Sequence, residues 1–408
     1  MLINSDMRIA ILTSGIMPVP AVQGGAVENL IDFYLDYNDR HRLHDITVYS
    51  VWHPGVKGHP RLDSSANHYV YIKADGPAAK IKKALFRCSH RDSYYHYTIG
   101  YYLRQAMSHT AWRHFDLIVV ENRPGFVLQM QQAAGVPVIL HLHNDFLNPG
   151  TREAHAIFDG FSRIVSVSDF ITHRVQSIVP DSGKCTTVYN AIDLEHFRTS
   201  MPKPRVQVGM SADDFVLVYS GRLTKEKGIL PLIQAVGMLH EIPRLKLLVV
   251  GASAYGKDRR PTPFMEQLFE ACSLIREKVV FTGFVGYDEV ASYLKMADVA
   301  VIPSAWEEPF GLTVVEAMAA GLPLVTTRSG GIPEICEGVA MIVDRGSLAE
   351  NLASAILDLF RHPEKREAMS EASLLQSRRF DKDVYASGFF EALETLPQLR
   401  TSNKHQVG

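Results

Sequence analysis

Two glutamates eight residues apart, Glu308 and Glu316, are the side chains of this sequence best placed to do chemistry. Glu308 stands in a short segment that Pro309 and Gly311 exclude from regular structure, and Glu316 follows in a mostly apolar stretch. An unpaired carboxylate in an apolar helix is costly, so Glu316 needs partners such as the two adjacent hydroxyls of a ribose. Glu308, in a loop, could accept hydrogen bonds from a sugar. On spacing alone, one surface glutamate and one helical glutamate remain the simpler interpretation.

The elements around these glutamates can be predicted from the residues on either side. The apolar run 297–303 is typical of a buried parallel strand, a helical pattern starts at Leu312, and Gly321 and Pro323 end it. In open parallel sheets, loops at the carboxyl ends of the strands bind ligands, and the free N–H groups of a following helix suit phosphate or sugar oxygens. We therefore expect a strand, a carboxylate-bearing loop and a helix that together bind a ligand.

The whole stretch 308–323 has the sequence Glu-Pro-Phe-Gly-Leu-x-x-x-Glu-Ala-Met-Ala-x-Gly-x-Pro. This long and specific pattern resembles the signature of the retaining GT-B glycosyltransferases of family 4, also called glycosyltransferase group 1. The resemblance implies that Glu308 orients the transferred sugar, as a candidate catalytic residue, and that Glu316 holds the ribose of a nucleotide. Three residues between them are also expected to contact the nucleotide-sugar donor: Phe310, Gly311 and Leu312.

A second candidate binding segment, Gly-Arg-Leu-x-x-x-Lys-Gly at 221–228, places Arg222 and Lys227 between a predicted strand and a predicted helix. Arginine can bind a phosphate through two hydrogen bonds and lysine acts as a point charge, although basic loop residues usually face solvent. The segment resembles the diphosphate-binding loop of the same family. The resemblance implies that both cations bind the donor and stabilise its leaving diphosphate, so both are candidate catalytic residues.

The loop after the first predicted strand contains Gly24 and Gly25 directly before a predicted helix. Adjacent glycines let a backbone approach a ligand closely, although such turns are more often purely structural. The loop lacks the G-x-G-x-x-G pattern, which argues against an ordinary dinucleotide dehydrogenase. In the family that the chain resembles, the corresponding loop contacts the acceptor and the donor phosphate.

His141 and His143 lie in an apolar run that ends in Asn144 and Asp145, and strand alternation places both rings on one face. A histidine at a strand end is most often structural. The ending resembles the family's His-Gly/Asn-Asp sequence, which implies that His143 reaches the transferred sugar or its phosphate as a catalytic residue and that Asn144 lies on the acceptor side. We predict no metal site, because the His-x-His pair has no evident third ligand.

Three further candidates depend on the resemblance. Ser168 and Asn190 end predicted strands and are expected to line the acceptor side, with a simple capping role as the alternative. Phe284 follows a segment whose backbone is expected to contact the nucleobase, and its ring either flanks that base or packs in the core.

Apolar runs alternate with helical patterns along the chain, which predicts an α/β fold with parallel sheets. Six predicted strands precede residues 201–205, a segment typical of a linker, and six follow it. We therefore expect two Rossmann-like domains facing across a cleft, the GT-B fold, with residues 1–200 for the acceptor and residues 206–379 for the nucleotide sugar. A helix at 380–398 is expected to pack back on the first domain.

The composition is that of an ordinary folded protein, with 408 residues, 46% hydrophobic and 21% charged, and a net charge of −2. This charge excludes a global attraction to nucleic acid, so we expect no nucleic-acid partner. The four cysteines are far apart without metal or redox spacing, and no apolar run reaches transmembrane length. The N-terminus lacks signal-peptide features, so we expect a cytoplasmic protein.

One local segment departs from this near-neutral average. Residues 78–91 are basic and amphipathic, and Lys80, Lys83, Arg87 and Arg91 flank its apolar side chains. One interpretation is a solvated helix with lysine stems lying along it. The other is peripheral docking on the anionic surface of the inner face of a membrane.

Together, the resemblance implies a retaining hexosyltransferase that moves a hexose from a nucleotide diphosphate sugar to a hydroxyl of a glycan, lipid-linked or other acceptor. We expect a UDP-sugar such as UDP-glucose, UDP-galactose or UDP-GlcNAc, a role in cell-surface polysaccharide or glycoconjugate synthesis, and no metal or other cofactor. The alternatives are a glycoside hydrolase, which would not need the two cations, a nucleotide-sugar epimerase, and a non-catalytic nucleotide-sugar-binding protein.

Overall fold

Two compact units make up the chain in the computed structural model, which describes residues 6–64, 66–74, 76–89, 96–108, 112–130, 135–252 and 263–396. The first unit comprises Met1–Asn190 together with Lys382–Gly408, and the second comprises Ala191–Asp381. Each unit is built on one parallel sheet covered by helices.

The first unit has a seven-stranded parallel sheet within the described part of the chain, in the order β3-β2-β1-β4-β5-β6-β7. The strands are β1 (Arg8–Leu12), β2 (Asp45–Val51), β3 (Asn67–Ile72), β4 (Leu117–Glu121), β5 (Val138–Leu142), β6 (Arg163–Ser166) and β7 (Cys185–Thr187). Every residue of β4 and β5 is buried. Strands with helices on both faces have such continuous apolar sequences, which is why the sequence predicted them.

Strand β3 was missed by the sequence analysis. Its sequence, Asn-His-Tyr-Val-Tyr-Ile, begins with two polar residues before a short run of tyrosine, valine and isoleucine, and only two of its six residues are buried. It lies at the edge of the sheet and pairs only with β2 among the described strands. An edge strand is less covered than a central one, so its hydrophobic signal is weaker.

Five helices of the first unit precede the second unit in the chain. They are α1 (Ala26–His41), α2 (Pro77–Ser89), α3 (Tyr97–Ser108), α4 (Ala154–Gly160) and α5 (Asp169–Gln176). The basic segment forms α2, on which Ile81 and Leu85 are each 65% exposed, whereas Phe86 is buried. Arg91 lies outside the described residues.

The second unit has a six-stranded parallel sheet in the described ranges, in the order β10-β9-β8-β11-β12-β13. Its strands are β8 (Phe215–Ser220), β9 (Leu245–Val250), β10 (Val279–Gly283), β11 (Val299–Ile302), β12 (Leu324–Thr327) and β13 (Met341–Val343). All six were predicted, because each is a short apolar run between helical segments.

Eight helices of the described chain accompany this sheet: α6 (Leu194–Thr199), α7 (Ile229–Met238), α8 (Pro263–Cys272), α9 (Tyr287–Leu294), α10 (Leu312–Ala319), α11 (Ile332–Cys336), α12 (Leu348–Arg361) and α13 (Pro363–Ser377). Buried side chains of α7, α8 and α12 form the core with one face of the sheet. This packing fixes the strand ends from which the loops of the site emerge.

The boundary between the units differs from the predicted one. We expected the first domain to end at residue 200, but residues 191–200 belong to the second unit. The physical reason is α6, whose Phe197 is fully buried and which contacts α9 and α10. Residues after it are not a free linker either, because Arg205 donates to the carbonyl oxygens of Met296 and Asp214, both at 2.8 Å.

The last described helix, α14 (Lys382–Glu394), belongs to the first unit and packs against α1. The ring of Tyr34 stacks on Phe389 with centroids 4.4 Å apart. Arg163, at the start of β6, donates to the carbonyl oxygen of Ala392 at 2.8 Å. These contacts hold a C-terminal segment on a unit built mostly from the N-terminal half of the chain.

None of the described helices combines the length and apolar character needed to cross a bilayer. The cysteines are free, with Cys272 and Cys336 buried and Cys88 exposed.

Candidate active site

The loops that carry the predicted cations and carboxylates meet in the second unit. The strand order of its sheet reverses between β8 and β11, and ligands of open parallel sheets bind at such a reversal. The N–H of Ala305, after β11, donates to the carbonyl oxygen of Glu226, after β8, at 2.8 Å. The ammonium of Lys227 donates to Oε1 of Glu308 at 2.5 Å. The structure thus joins two predicted site residues that are 81 positions apart.

Gly228 permits this close approach of the two loops. Its φ is +69°, and a Cβ at this position would lie 1.8 Å from the carbonyl oxygen of Pro303. A larger residue would therefore push apart the end of β11 and the start of α7, which begins directly after Gly228.

Glu308 is buried and held by several contacts. The Ser304 hydroxyl donates to the same Oε1 that accepts from Lys227. The carbonyl oxygen of Glu308 accepts from the N–H of Gly331, in the loop after β12, at 2.9 Å. In that loop Gly330 has a φ of +53°, and a Cβ there would lie 2.1 Å from the carbonyl oxygen of Glu308. The loop after β12 therefore fixes the position of the carboxylate.

An exposed aromatic ring lies beside this ion pair, and a second cation is exposed in the loop of Lys227. Arg222 is exposed in the same loop as Lys227. Trp306 is 37% exposed, and its ring centre lies 5.6 Å from Nζ of Lys227. The sequence analysis missed Trp306, although an aromatic residue two positions before a candidate glutamate was an available signal. Cations and an aromatic face next to a buried carboxylate can interact with the phosphate and the sugar of one ligand.

Glu316 lies in α10, as predicted, and is buried. Burial raises its pKa to about 8. The carboxyl group is therefore mostly protonated at neutral pH. Two hydroxyl donors would favour its ionised form, because hydrogen bonds to a carboxylate stabilise the charge. The helix starts after Gly311, and its first N–H groups have no partner within the helix.

The other predicted donor contacts differ in exposure. Phe310 is only 2% exposed and packs against Phe380 with ring centroids 5.8 Å apart, so its backbone alone can face a ligand. Leu312 is partly buried at the start of α10. Phe284, directly after β10, is 58% exposed, which rules out the alternative that its ring packs in the core.

A second group of polar side chains is buried at the carboxyl ends of β4 and β5 in the first unit. Oε1 of Glu121 accepts from the Tyr34 hydroxyl at 3.0 Å and contacts Nδ1 of His141 at 3.1 Å. Oε2 of Glu121 contacts Nε2 of His143 at 3.0 Å. The sequence analysis named the histidines but missed Glu121, because it belongs to a different strand, 20 positions before His141.

The protonation of this cluster follows from its neighbours. Burial alone would raise the pKa of Glu121, but the two histidines lower it well below its ordinary value. Burial, followed by the proximity of His141, lowers the pKa of His143 to about 4. We therefore describe Glu121 as ionised and His143 as neutral at neutral pH.

Glu121 also changes the prediction about metal binding. The argument that the His-x-His pair lacks a third potential ligand is wrong, because Glu121, His141 and His143 each offer a donor atom and these atoms lie within 4.8 Å of one another. Two histidines and one carboxylate are a donor set that zinc uses. In the structure, however, both carboxylate oxygens are already hydrogen-bonded to the rings and to Tyr34, which satisfies the carboxylate without an ion.

The remaining predicted residues also lie in the first unit. Gly24 and Gly25 directly precede α1, with φ values of +74° and +112°. Ser168 is fully buried and its hydroxyl accepts from the N–H of Ile171 at 3.1 Å, which gives it the capping role named as the alternative. Asn190 is buried beside His143. Asn144, the next residue in the sequence after His143, is partly buried. Their roles toward an acceptor stay predictions.

Family comparisons cover both units. The family model described as "Glycosyl transferases group 1" matches residues 201–376. The family model described as "Glycosyltransferase Family 4" matches residues 40–196.

Similar proteins extend over most of the chain. The spore coat protein SA of Bacillus subtilis (strain 168) is 28% identical over 383 residues, which cover 90% of this chain and 93% of that protein. The lipopolysaccharide 1,2-N-acetylglucosaminetransferase of Salmonella typhimurium is 27% identical over 271 residues, or 62% of this chain and 67% of that protein. The Anabaena protein HepE, solved in complex with UDP and glucose, aligns with a TM-score of 0.70 at 21% identity and covers 96% of this chain and 100% of its own.

The two parallel-sheet Rossmann-like units and these comparisons define a protein of the GT-B class, so the predicted fold class is confirmed. The chain belongs to the glycosyltransferases of group 1 and family 4, and the predicted family is also confirmed. It is therefore a transferase that acts on a sugar.

Proposed function

We propose that this enzyme transfers a hexose from a UDP-sugar to a hydroxyl of a glycan, lipid-linked or other acceptor, with retention at the anomeric carbon, as a hexosyltransferase of the EC 2.4.1 class. The observation that carries the proposal is the contact of Lys227 with Glu308 where the strand order reverses. One loop supplies cations for a diphosphate, and the other supplies a buried carboxylate for sugar hydroxyls. A glycoside hydrolase would have no use for the cations.

The proposed reaction needs stabilisation of the departing diphosphate. Arg222, Lys227 and the N-terminus of α10 are the positive groups available for it. Without a ligand Lys227 is paired with Glu308, and a phosphate oxygen would share or replace this partner. We favour attack by the acceptor hydroxyl on the face that the diphosphate leaves, with a phosphate oxygen taking the proton. Lys227 and Ser304 both donate to Oε1 of Glu308, which makes this carboxylate a poor nucleophile and leaves Oε2 for sugar hydroxyls.

Names of similar proteins support the donor and the pathway. HepE was solved with UDP and glucose, and the Salmonella relative is named as a transferase of N-acetylglucosamine in lipopolysaccharide. UDP-glucose, UDP-galactose and UDP-GlcNAc are therefore the proposed donors, and synthesis of a cell-surface polysaccharide or glycoconjugate is the proposed role.

A panel of UDP-, GDP- and ADP-sugars, with detection of released nucleotide, tests the proposal. We expect release from a UDP-hexose, and we expect Arg222→Ala to lower turnover by about a hundredfold, because it removes charge stabilisation of the leaving group. An α-linked product seen by proton NMR would support retention. Conversion of the sugar while it stays attached to UDP would identify an epimerase, and binding without release would identify a non-catalytic module.

We also propose that α2 docks on an anionic membrane surface. Ile81 and Leu85 project to solvent on this helix, and Lys80 and Arg87 are exposed beside them. Exposed apolar side chains flanked by lysine and arginine are the pattern of a helix that lies in the membrane interface.

Sedimentation with vesicles at low salt tests this docking. Each basic residue near an anionic surface contributes about 1 kcal/mol, so Lys80→Ala with Lys83→Ala should weaken binding about 30-fold. The matched control replaces Lys57 and Arg113, two exposed cations elsewhere in the first unit, and should leave binding unchanged. Equal sedimentation of the wild type with neutral and anionic vesicles would contradict the proposal.

A further inference from the structure

The carboxylate of Glu121 is buried at the centre of a hydrogen-bonded cluster with zero exposed area. It engages Tyr34 and His141 through one oxygen and His143 through the other. An ionised carboxylate can only accept hydrogen bonds. Each ring nitrogen that faces Glu121 must therefore carry a proton, so His141 is protonated on Nδ1 and His143 on Nε2.

The opposite nitrogen of His143 has no such partner. Nδ1 of His143 is buried beside the side chain of Asn190, and neither this nitrogen nor Oδ1 of Asn190 has a hydrogen-bond donor among the described residues. A neutral imidazole with its proton on Nε2 offers a lone pair on Nδ1. Two neighbouring acceptors without a donor are unusual in a protein interior, and a ligand hydroxyl is a group that can supply the donor.

The rings cannot easily turn to exchange their nitrogens. The N–H of His143 donates to Oδ1 of Asn122 at 3.1 Å, which fixes the backbone at the end of β5. The His141 ring lies 4.2 Å from the His143 ring and 4.9 Å from the Phe389 ring of α14, measured between centroids. The packing around both rings therefore keeps the orientation that Glu121 selects.

We propose that Glu121 is a positioning residue of this enzyme, which holds His143 as the neutral Nε2–H tautomer so that Nδ1 accepts a hydrogen bond from a substrate hydroxyl. The proposal rests on the proposed function, because a sugar hydroxyl is the natural donor. It differs from the simple expectation for His143, since an Nδ1 lone pair cannot donate to a phosphate. Glu121 does not touch the substrate and acts through the ring.

Nitrogen-15 NMR of histidine-labelled protein tests the tautomer without any substrate. The chain has 17 histidines, so the resonances of His143 are assigned from their disappearance in His143→Gln. At pH 7 we expect a protonated Nε2 and an unprotonated Nδ1. A protonated Nδ1, as in the other tautomer or in an imidazolium, overturns the proposal even if the enzyme transfers sugars as proposed.

Two variants that change contacts of the Glu121 carboxylate distinguish a positioning role from a purely structural one. Glu121→Gln keeps the shape but offers one acceptor oxygen and one N–H₂ donor, so it cannot accept from both rings. We expect a changed tautomer signal, a kcat about 10- to 100-fold lower and a nearly unchanged KM for the donor, since misplaced catalytic groups affect the reaction more than binding. Tyr34→Phe removes one hydrogen bond to the same carboxylate but leaves both ring contacts, so it should keep the tautomer and most of kcat.

Several outcomes would contradict this assignment. If both variants lower the melting temperature equally and neither changes the tautomer or kcat, Glu121 is only structural. If the purified protein contains stoichiometric zinc that Glu121→Gln loses, the cluster is a metal site and the proposal is wrong. If the tautomer is as expected but no nucleotide sugar is consumed, the proposed function fails while the positioning by Glu121 stands.

Discussion

The carboxyl group of Glu316 shows how burial alone changes the chemistry of a residue. The side chain lies in a mostly apolar helix, and desolvation raises its pKa to about 8. Glu308, in the preceding loop, instead meets a lysine and a serine hydroxyl. The two acidic side chains of one motif therefore have different surroundings, which makes their replacements distinguishable.

The stability of the protein should depend on pH through Glu316. Its folded-state pKa lies above the ordinary value of 4.5, so between roughly pH 4.5 and 8 the folded state holds a proton that the unfolded chain has lost. The contribution is fully present below this window and is lost as pH rises, with a slope of at most about 1.4 kcal/mol per pH unit. Denaturant unfolding of the wild type and Glu316→Gln across pH 5–9 should show a difference in unfolding free energy that changes between pH 5 and 8, and parallel curves would contradict this assignment.

Nucleotide binding should separate Glu316 from Glu308. Ribose hydroxyls favour the ionised Glu316, so UDP affinity should rise with pH toward about 8 in the wild type. Above that pH, Glu316→Gln should bind UDP about 10- to 100-fold more weakly, because a charged hydrogen bond is lost. Glu308→Gln should spare bare UDP but reduce transfer. Calorimetry beside turnover tests this division, and equal loss of UDP affinity in both variants would refute it.

At the scale of elements, the site depends on loops that touch through their backbones. The loop after β8 contacts the loop after β11, and the loop after β12 supports the latter from the other side. Buried hydroxyls add to this support, since Thr327 and Ser329 both donate to the carbonyl oxygen of Ser304. The loop after β12 leaves little room for any added atom next to the backbone of Glu308.

Gly330→Ala should therefore damage both the fold and the reaction. The new Cβ would lie 2.1 Å from the Glu308 carbonyl oxygen, so the loop would have to move in addition to the strain at positive φ. Gly338→Ala is the matched control, because Gly338 also has a positive φ but a Cβ there meets nothing within 4 Å. We expect Gly330→Ala to lose about 1–3 kcal/mol more stability than the control, together with transfer activity. Equal effects of the two variants would show that backbone strain is the sole cause.

At the scale of the whole molecule, the chain returns at its C-terminal end to the first unit. Arg40 of α1 forms an ion pair with Asp383 of α14, and the aromatic rings of Tyr34 and Phe389 stack. The first unit is therefore complete only after nearly the whole chain has been made. Its buried carboxylate cluster is also bounded by α14, since Phe389 lies against His141.

Phe389→Ala should destabilise the first unit strongly. The ring is fully buried, and removal of a buried phenylalanine costs about 3–5 kcal/mol. Val384→Ala, on the same helix at a position that is 55% exposed, is the matched control and should cost much less. Thermal unfolding of both variants measures the difference. Similar melting temperatures would mean that α14 contributes little to the stability of this unit.

Catalysis by the intact enzyme should not require a divalent ion. Arg222, Lys227 and the start of α10 supply positive charge for the leaving diphosphate in the proposed reaction. Turnover should therefore persist after dialysis against EDTA. Complete loss of activity that manganese or magnesium restores would show that these groups do not compensate the charge.

Much of the fold followed from the sequence because its signals are local. Strands that helices cover on both faces are continuous apolar runs, and every strand of the second unit was found in this way. The motif from Glu308 to Glu316 lies within one loop and one helix, so its spacing fixed its geometry. The exception was β3, where two polar residues and partial exposure at the sheet edge weaken the apolar signal.

The contacts that make the site were decided by the tertiary structure. Lys227 meets Glu308 across 81 positions, and Glu121 meets His143 across 22. In a parallel sheet, neighbouring strands are separated in sequence by a helical crossover, so no short pattern records which strand ends lie side by side. The sequence by itself therefore determined the family, the elements and most of the candidate residues, whereas strand order alone determined which of their side chains touch.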